Sequence, residues 1–227
     1  YQTEEEAAKA PNDPNAQGRK KHAGDAIFED VNNDGQLDSK DMKFMGYIRP
    51  DKVGGIVNSF KYKGLTVRVV MDWAMGHVID NGFKGQIMGS SRNNNNAIKD
   101  AMTNSWQSAN DGTKYPKYTV QSDYDYQYRN HMRWDNQIGS SESGSTNNSL
   151  YFSKGDYLAF REVSLSYMLP STWVRKIRLS GVEVFAGAYN IGYIKKYDGM
   201  FPEIYTGVDY GVYPRPRQYN MGVKINF

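Results

Sequence analysis

The stretch DVNNDGQLDSKD, residues 30–41, sets oxygen donors at the spacing of a twelve-residue calcium loop. Asp30, Asn32 and Asp34 take the first, third and fifth places. Gly35 follows where the chain must turn sharply, and Gln36 offers its backbone carbonyl next. Asp38 and Asp41 complete the set, Asp41 being shorter than the glutamate that usually closes such a loop. So many hard oxygens on one small loop repel one another unless a cation joins them. The spacing predicts a structural Ca²⁺ site, with Mg²⁺ as the second choice. The competing reading is an Asp/Asn-rich turn capped by its own side chains and free of metal.

A second group of residues with chemical potential is aromatic. Trp106, Tyr115, Tyr118, Tyr124, Tyr126, Tyr128 and Trp134 crowd one stretch. Tyr and Trp rings stack on sugars or pack on peptides while a polar tip stays wet. Trp106, Tyr124, Tyr126, Tyr128 and Trp134 are therefore candidates for contact with a substrate or a covering lid. Packing within the loop, or an interface with a capping lipoprotein, would use the same residues. Catalytic patterns are missing. His22, His77 and His131 have no ligand spacing, and GSSESG does not match the nucleophile elbow. No glycine-rich phosphate loop occurs, and the chain reads as a non-enzyme.

The elements that carry these residues are strands. In VGGIVNSFKYK, Ile56, Phe60 and Tyr62 share a face, and after Lys63-Gly64 the residues Leu65, Val67, Val69, Met71, Trp73 and Met75 do the same. This reads as a tight hairpin over 53–76. A second pair spans 157–190. Val163, Leu165, Tyr167 and Leu169 lie opposite Glu162, Ser164 and Ser166, and Val182, Val184, Ala186 and Ala188 lie opposite Glu183, Phe185, Gly187 and Tyr189. Pro170 begins the turn between them, and Gly181 reads as a bulge. The last strand, 216–227, alternates Tyr219, Met221, Val223, Ile225 and Phe227 against polar residues. Between these lie polar loops at 1–52, 77–156 and 191–215, with short helices expected near Glu4 to Lys9 and Ala97 to Trp106.

Short and long connections alternate, as periplasmic turns and extracellular loops do in an outer-membrane barrel. The apolar face would then meet lipid, and Arg68, Asp72, Glu162, Glu183 and Lys224 would line a solvated inner wall. The alternative is a soluble calcium-binding β-sandwich that binds carbohydrate. Composition bounds both readings. The chain has 227 residues, 18 of them Tyr, no Cys, and a net charge of +3, too weak to argue for nucleic acid. No run of apolar residues is long enough for a membrane helix. The chain starts at Tyr1 without Met or a signal peptide, which reads as part of a longer polypeptide.

Five motifs in order carry a resemblance: GDAIFEDVNNDGQLDSKD, YKGLTVRVVMDW, GDYLAFREVSLSYMLP, AYNIGYIKKYDGMFPE and YPRPRQYNMGVKINF. Together they closely resemble the C-terminal end of the SusC/RagA family, the TonB-dependent outer-membrane transporters of Bacteroidetes. The chain departs from that pattern at Ala159, where the family usually has Arg or Lys, and at Tyr189-Asn190-Ile191, where QNL is common. The resemblance implies an all-β fold, the last five strands of a barrel of about 22 strands with a plugged lumen. It also implies a nutrient importer of the Gram-negative outer membrane. Its partners would be the N-terminal remainder and plug of the same barrel, a SusD-like surface lipoprotein, TonB through the N-terminal part, a glycan or peptide substrate, and lipid.

Overall fold

The structure is a computed structural model that describes residues 1–88, 99–113, 115–119, 123–130 and 149–227. The chain divides into two compact units. One is a sheet unit of residues 47–79, 153–207 and 212–227. The other is a lobe of residues 1–46, 80–152 and 208–211.

In the chain's order the strands are β1 (Lys52–Tyr62), β2 (Leu65–Met75), β3 (Val78–Asp80), β4 (Phe152–Lys154), β5 (Tyr157–Met168), β6 (Gly181–Lys195) and β7 (Gln218–Asn226). Five of them form one antiparallel sheet in the order β1-β2-β5-β6-β7, and β3 pairs with β4 separately. The first hairpin turns at Lys63 (φ 45°) and Gly64 (φ 86°). Two successive positive φ values give the primed turn whose twist matches the strands it joins. Gly64 is required there, because a Cβ would sit 2.7 Å from the carbonyl oxygen of Met168. The long strands fall on the alternating runs, β1 and β2 at Lys52–Tyr62 and Leu65–Met75 among them.

Pairing across the sheet shows why the alternation is so regular. Phe60, Val67, Leu165, Ala186 and Met221 lie in one cross-strand row. The next row over is Ser59, Arg68, Ser164, Gly187 and Asn220. Apolar and polar rows thus occupy opposite faces. On the central strand β5 the burial is the reverse of a water-soluble sheet. On β5, Val163, Leu165 and Tyr167 are exposed while Glu162, Ser164 and Ser166 are half-buried. Phe60 is 68 % exposed and Met221 87 %, at the two edges of the apolar row. On the polar face Ser164 Oγ donates to Glu162 Oε1 at 2.7 Å and Arg68 Nε donates to Glu162 Oε2 at 3.3 Å.

Two irregularities change the expected boundaries. Pairing shifts between Val70 and Met71 on β2 and between Phe160 and Glu162 on β5. Where β5 advances from Glu162 to Phe160, its partner β6 advances from Tyr189 to Gly192. The extra residues, Arg161 on β5 and Asn190-Ile191 on β6, break the two-residue period, and Asn190 takes φ 50°. That lost period is why 190 reads as a strand end, whereas β6 continues to Lys195. Gly181 proves to be the first residue of β6 and not a bulge. The turn at Pro170 is longer than a hairpin loop. It holds helix Ser171–Val174 and a 3₁₀ turn, Arg175–Ile177, and ends on Arg178 at φ 59°.

A clasp closes the neck of the long insert within the sheet unit. Gly155 N donates to His77 O at 2.8 Å, Gly76 N to Asp156 Oδ1 at 2.8 Å, and Lys196 N to Asp156 O at 2.9 Å. His77 lies against Gly155, where a Cβ would clash with its ring.

The lobe is built of short helices: α1 (Glu4–Ala7), α2 (Gly82–Met88), α3 (Lys99–Thr103) and α4 (Tyr124–Asn130). Thr3 Oγ1 caps α1 by accepting from Glu6 N at 3.2 Å. Ala101, Tyr115 and Tyr151 form its buried core, with Tyr118 and Leu150 packed on them. The two ends of the insert meet in the lobe, Asn81 N donating to Tyr151 O at 2.9 Å.

Candidate functional site

The acidic loop is closed by its own backbone. Asp30 accepts from Asp34 N at 3.2 Å and from Gly35 N at 2.8 Å. Asn32 Oδ1 accepts from Asp34 N at 3.0 Å, and Asp34 Oδ1 from Gln36 N at 3.0 Å. Asp38 Oδ1 accepts from Lys40 N at 2.7 Å. Asp41 bridges the ends, accepting from Val31 N and Asp38 N at 2.8 Å each. Asn33 and Gly35 take positive φ, which lets so short a loop reverse. Buried Leu37 anchors it, its N–H donating to Asn12 O at 2.8 Å.

One positive charge stands among these carboxylates. Lys40 Nζ is 3.5 Å from Asp34 Oδ2 and 3.4 Å from Asp38 Oδ2. The Asn32 amide, the Gln36 N–H and Lys40 together hold the Asp34 carboxyl below the usual carboxylate range. The donor set is all hard oxygen and suits calcium in kind. In this arrangement, however, most of those oxygens cap backbone N–H groups. Among the described residues no group of three or more His, Asp and Glu is gathered as a metal shell.

The aromatic candidates mostly build the lobe. Tyr126 is buried, and its hydroxyl donates to Lys117 O. Burial pushes its phenol up. Trp106 is half-buried against Gly24, whose Cβ would lie 2.7 Å from the indole Cε3. Tyr128 is covered by the Arg19 guanidinium at 4.7 Å. Tyr115 is buried and donates to Asp100 Oδ2 at 2.8 Å. Tyr124 opens α4, and Trp134 lies outside the described residues. Tyr126 is 2 % exposed, its ring packed within the lobe.

A polar knot joins the first loop to α4. Asp25 accepts from Arg129 Nε at 2.7 Å and from Asn130 Nδ2 at 2.8 Å, and Asn130 Oδ1 accepts from Ala26 N at 2.6 Å. Lys21 Nζ donates to the Arg129 carbonyl. Burial pushes the Lys21 ammonium down to about 8, against the raising effect of Asp13 and Asp25.

The sequence reading missed a third cluster, at the strand irregularities. Asp72 of β2, Ala159 of β5 and Tyr193 of β6 share a row on the polar face. Arg161, the extra residue of β5, donates from Nε to both Asp72 oxygens at 2.9 Å. From Nη1 it reaches Glu203 Oε1 at 2.5 Å. Tyr193 Oη donates to the same oxygen at 2.5 Å. Glu203 Oε2 lies 3.2 Å from Arg215 Nη2 and accepts from Tyr205 Oη at 3.3 Å. Burial alone would raise Glu203, but Arg161, Tyr193 and Arg215 outweigh it and hold the carboxyl below its ordinary range. Beside this cluster Ile79, Tyr197, Phe201 and Ile204 form a small core with Tyr193 packed on it. The signal for the cluster was the broken alternation at Phe160-Arg161-Glu162.

The antiparallel sheet, with apolar residues exposed on one face and a bonded polar face, has a fold that solved structures share. The structure of the RagAB peptide transporter aligns over 79 % of this chain and 17 % of its own, with TM-score 0.59 and 22 % identity. The RagAB peptide importer in its open-open state aligns over 88 % of this chain and 20 % of its own, with TM-score 0.62 and 21 % identity. No protein-family model matches the chain.

Curated relatives narrow the class. TonB-dependent receptor P3 of Formosa agariphila is 25 % identical over 90 % of this chain, and TonB-dependent receptor P39 of the same organism 24 % over 90 %. TonB-dependent receptor SusC of Bacteroides thetaiotaomicron is 26 % identical over 40 % of it. The chain is thus related to TonB-dependent receptors of the SusC kind, and the resemblance read in its motifs is borne out. It spans 19 % of the length of the two Formosa relatives.

Proposed function

We propose that this chain is the C-terminal wall segment of a TonB-dependent outer-membrane importer of nutrients. The observation that carries this is the inverted burial of the central strand β5, with exposed Val163, Leu165 and Tyr167 opposite half-buried Glu162, Ser164 and Ser166. Lipid would cover the apolar face, and the polar face would line the lumen. β1 and β7 are the two open edges of the sheet. Exposed strand backbone finds no hydrogen bonds in hydrocarbon, so both edges pair with strands of the remaining polypeptide. On this reading the whole barrel has about 22 strands. The lobe faces the cell exterior and meets a SusD-like lipoprotein. The plug and the TonB contact lie in the N-terminal part, and the cargo is an oligosaccharide or a peptide. The soluble-sandwich alternative requires a covered apolar face.

The test is fractionation of the full-length protein with uptake assays. An importer sediments with the outer membrane, needs detergent, and restores uptake of an oligopeptide or oligosaccharide mixture to a deletion strain. Recovery as a soluble monomer would refute the reading. Within the same proposal the 30–41 loop binds Ca²⁺ through Asp30, Asn32, Asp34, the Gln36 carbonyl, Asp38 and Asp41, with the Lys40 ammonium displaced. The metal would stiffen the lobe and take no part in chemistry.

A further inference from the structure

We propose that Glu203 is a positioning residue that fixes the connecting segments 196–207 and 212–217 onto the polar face of the sheet, making them a permanent part of the wall and not a cover that moves. The geometry is two-sided. Oε1 is held by strand residues, Arg161 of β5 and Tyr193 of β6. Oε2 is held by loop residues, Tyr205 and Arg215. One carboxylate therefore joins both limbs of the connection to two strands. Its side chain is wholly buried, at 0 % exposure.

The strand side is itself braced. Arg161 is free to leave the ladder because it is the extra residue at the irregularity, and Asp72 on the neighbouring strand holds its guanidinium in place. Asp72 and Tyr193 lie in one row of the polar face, so the carboxylate they lead to lies over that face. Phe201 and Ile204, either side of Glu203 in the chain, are buried with Ile79 and Tyr197. A connection anchored by apolar residues flanking a buried ion pair has no cheap open state, because opening it strands a charge. That the polar face borders a solute path rests on the import reading; the anchoring does not.

The test uses the full-length protein in detergent and in cells. Amide exchange is followed in peptides spanning 198–216, in wild type, Glu203→Ala, Glu203→Gln and the control Glu183→Gln, a carboxylate elsewhere on β6. Glu203→Ala is expected to speed exchange at least tenfold in these peptides alone. Glu203→Gln, which keeps the shape and loses the charge, is expected to fall between, and the control to match wild type. Should Glu203→Ala fail to assemble, Arg215→Ala and Tyr205→Phe remove only the loop-side partners and are expected to speed exchange about threefold. Wild-type exchange in every assembled variant would overturn the anchoring.

In cells, the half-saturating concentration for an oligopeptide or oligosaccharide mixture is expected to rise. The maximal rate per assembled barrel should stay within twofold. Faster exchange with unchanged half-saturation would overturn the wall role. Lack of any uptake by wild type would sink the import reading and leave the exchange result standing.

Discussion

Glu203 shows how one residue can be insulated from its surroundings. Its partners across the sheet and loop are Arg161, Tyr193, Arg215 and Tyr205, with Asp72 behind Arg161. Its carboxyl is held below the usual range in the folded chain. A depressed carboxylate contributes stability above its unfolded value and loses it as pH falls through the folded value. Protection against exchange in 198–216, taken relative to the intrinsic base-catalysed rate, is therefore expected to be flat between about pH 5 and pH 8 and to fall only below the ordinary carboxylate range. A loss of protection near neutral pH would contradict this. Gly64 gives a second prediction at this scale. Gly64→Ala puts a Cβ beside Met168 O in a backbone of φ 86°, at an expected cost of about 1–3 kcal/mol in unfolding titrations. The acidic loop gives a third. If it holds calcium, millimolar Ca²⁺ raises the melting temperature of the protein, and Asp30→Ala removes the increment; equal melting with Ca²⁺ and with chelator would leave the capped turn as the whole account.

At the scale of elements, the two faces can be tested separately. Leu165→Arg puts a charge on the apolar face and is expected to cost about 2–4 kcal/mol in lipid. Ser164→Arg, one residue away on the polar face, is expected to be tolerated. Heat-modifiable migration of the assembled barrel measures both, and equal tolerance would deny that one face meets hydrocarbon. The strands were legible in the sequence because side chains on one face are apolar and their neighbours mostly polar, a two-residue signal that Leu65 to Met75 keeps except at Val70 and Ala74. Legibility failed where the ladder takes extra residues. At Asn190-Ile191 the period is lost, and β6 continues for five more residues than its pattern shows. The helices α2 and α4 were missed because seven residues carry too little periodicity to stand out. The broken alternation marks Arg161, but its partners were illegible: Asp72, Tyr193, Glu203 and Arg215 are far apart in sequence, and only the fold brings them together.

At the scale of the whole molecule, the import reading makes closure of the barrel the deciding property. Deleting Tyr219 to Phe227 removes the β7 edge and is expected to abolish assembly in the outer membrane. Phe227→Ala, a change one residue past the strand at a side chain 93 % exposed, is expected to impair it mildly. A truncated protein that still gave a detergent-stable barrel would show that β7 does not close the wall.

The meeting of Asn81 and Tyr151 inside the lobe bears on how the chain finds its fold. β1 can pair with β2 at once, since Tyr62 and Leu65 are opposite residues, but the β2–β5 pairing begins at Leu65 and Tyr167. Zippering across so wide a sequence gap is slow, because the closure entropy is lost before any contact repays it. A lobe that collapses by itself around Ala101, Tyr115 and Tyr151 brings the two ends of the gap together first. The remaining search is then a short one. Destabilising the lobe, for example by Tyr151→Ala, should slow refolding of the sheet although no strand residue has changed.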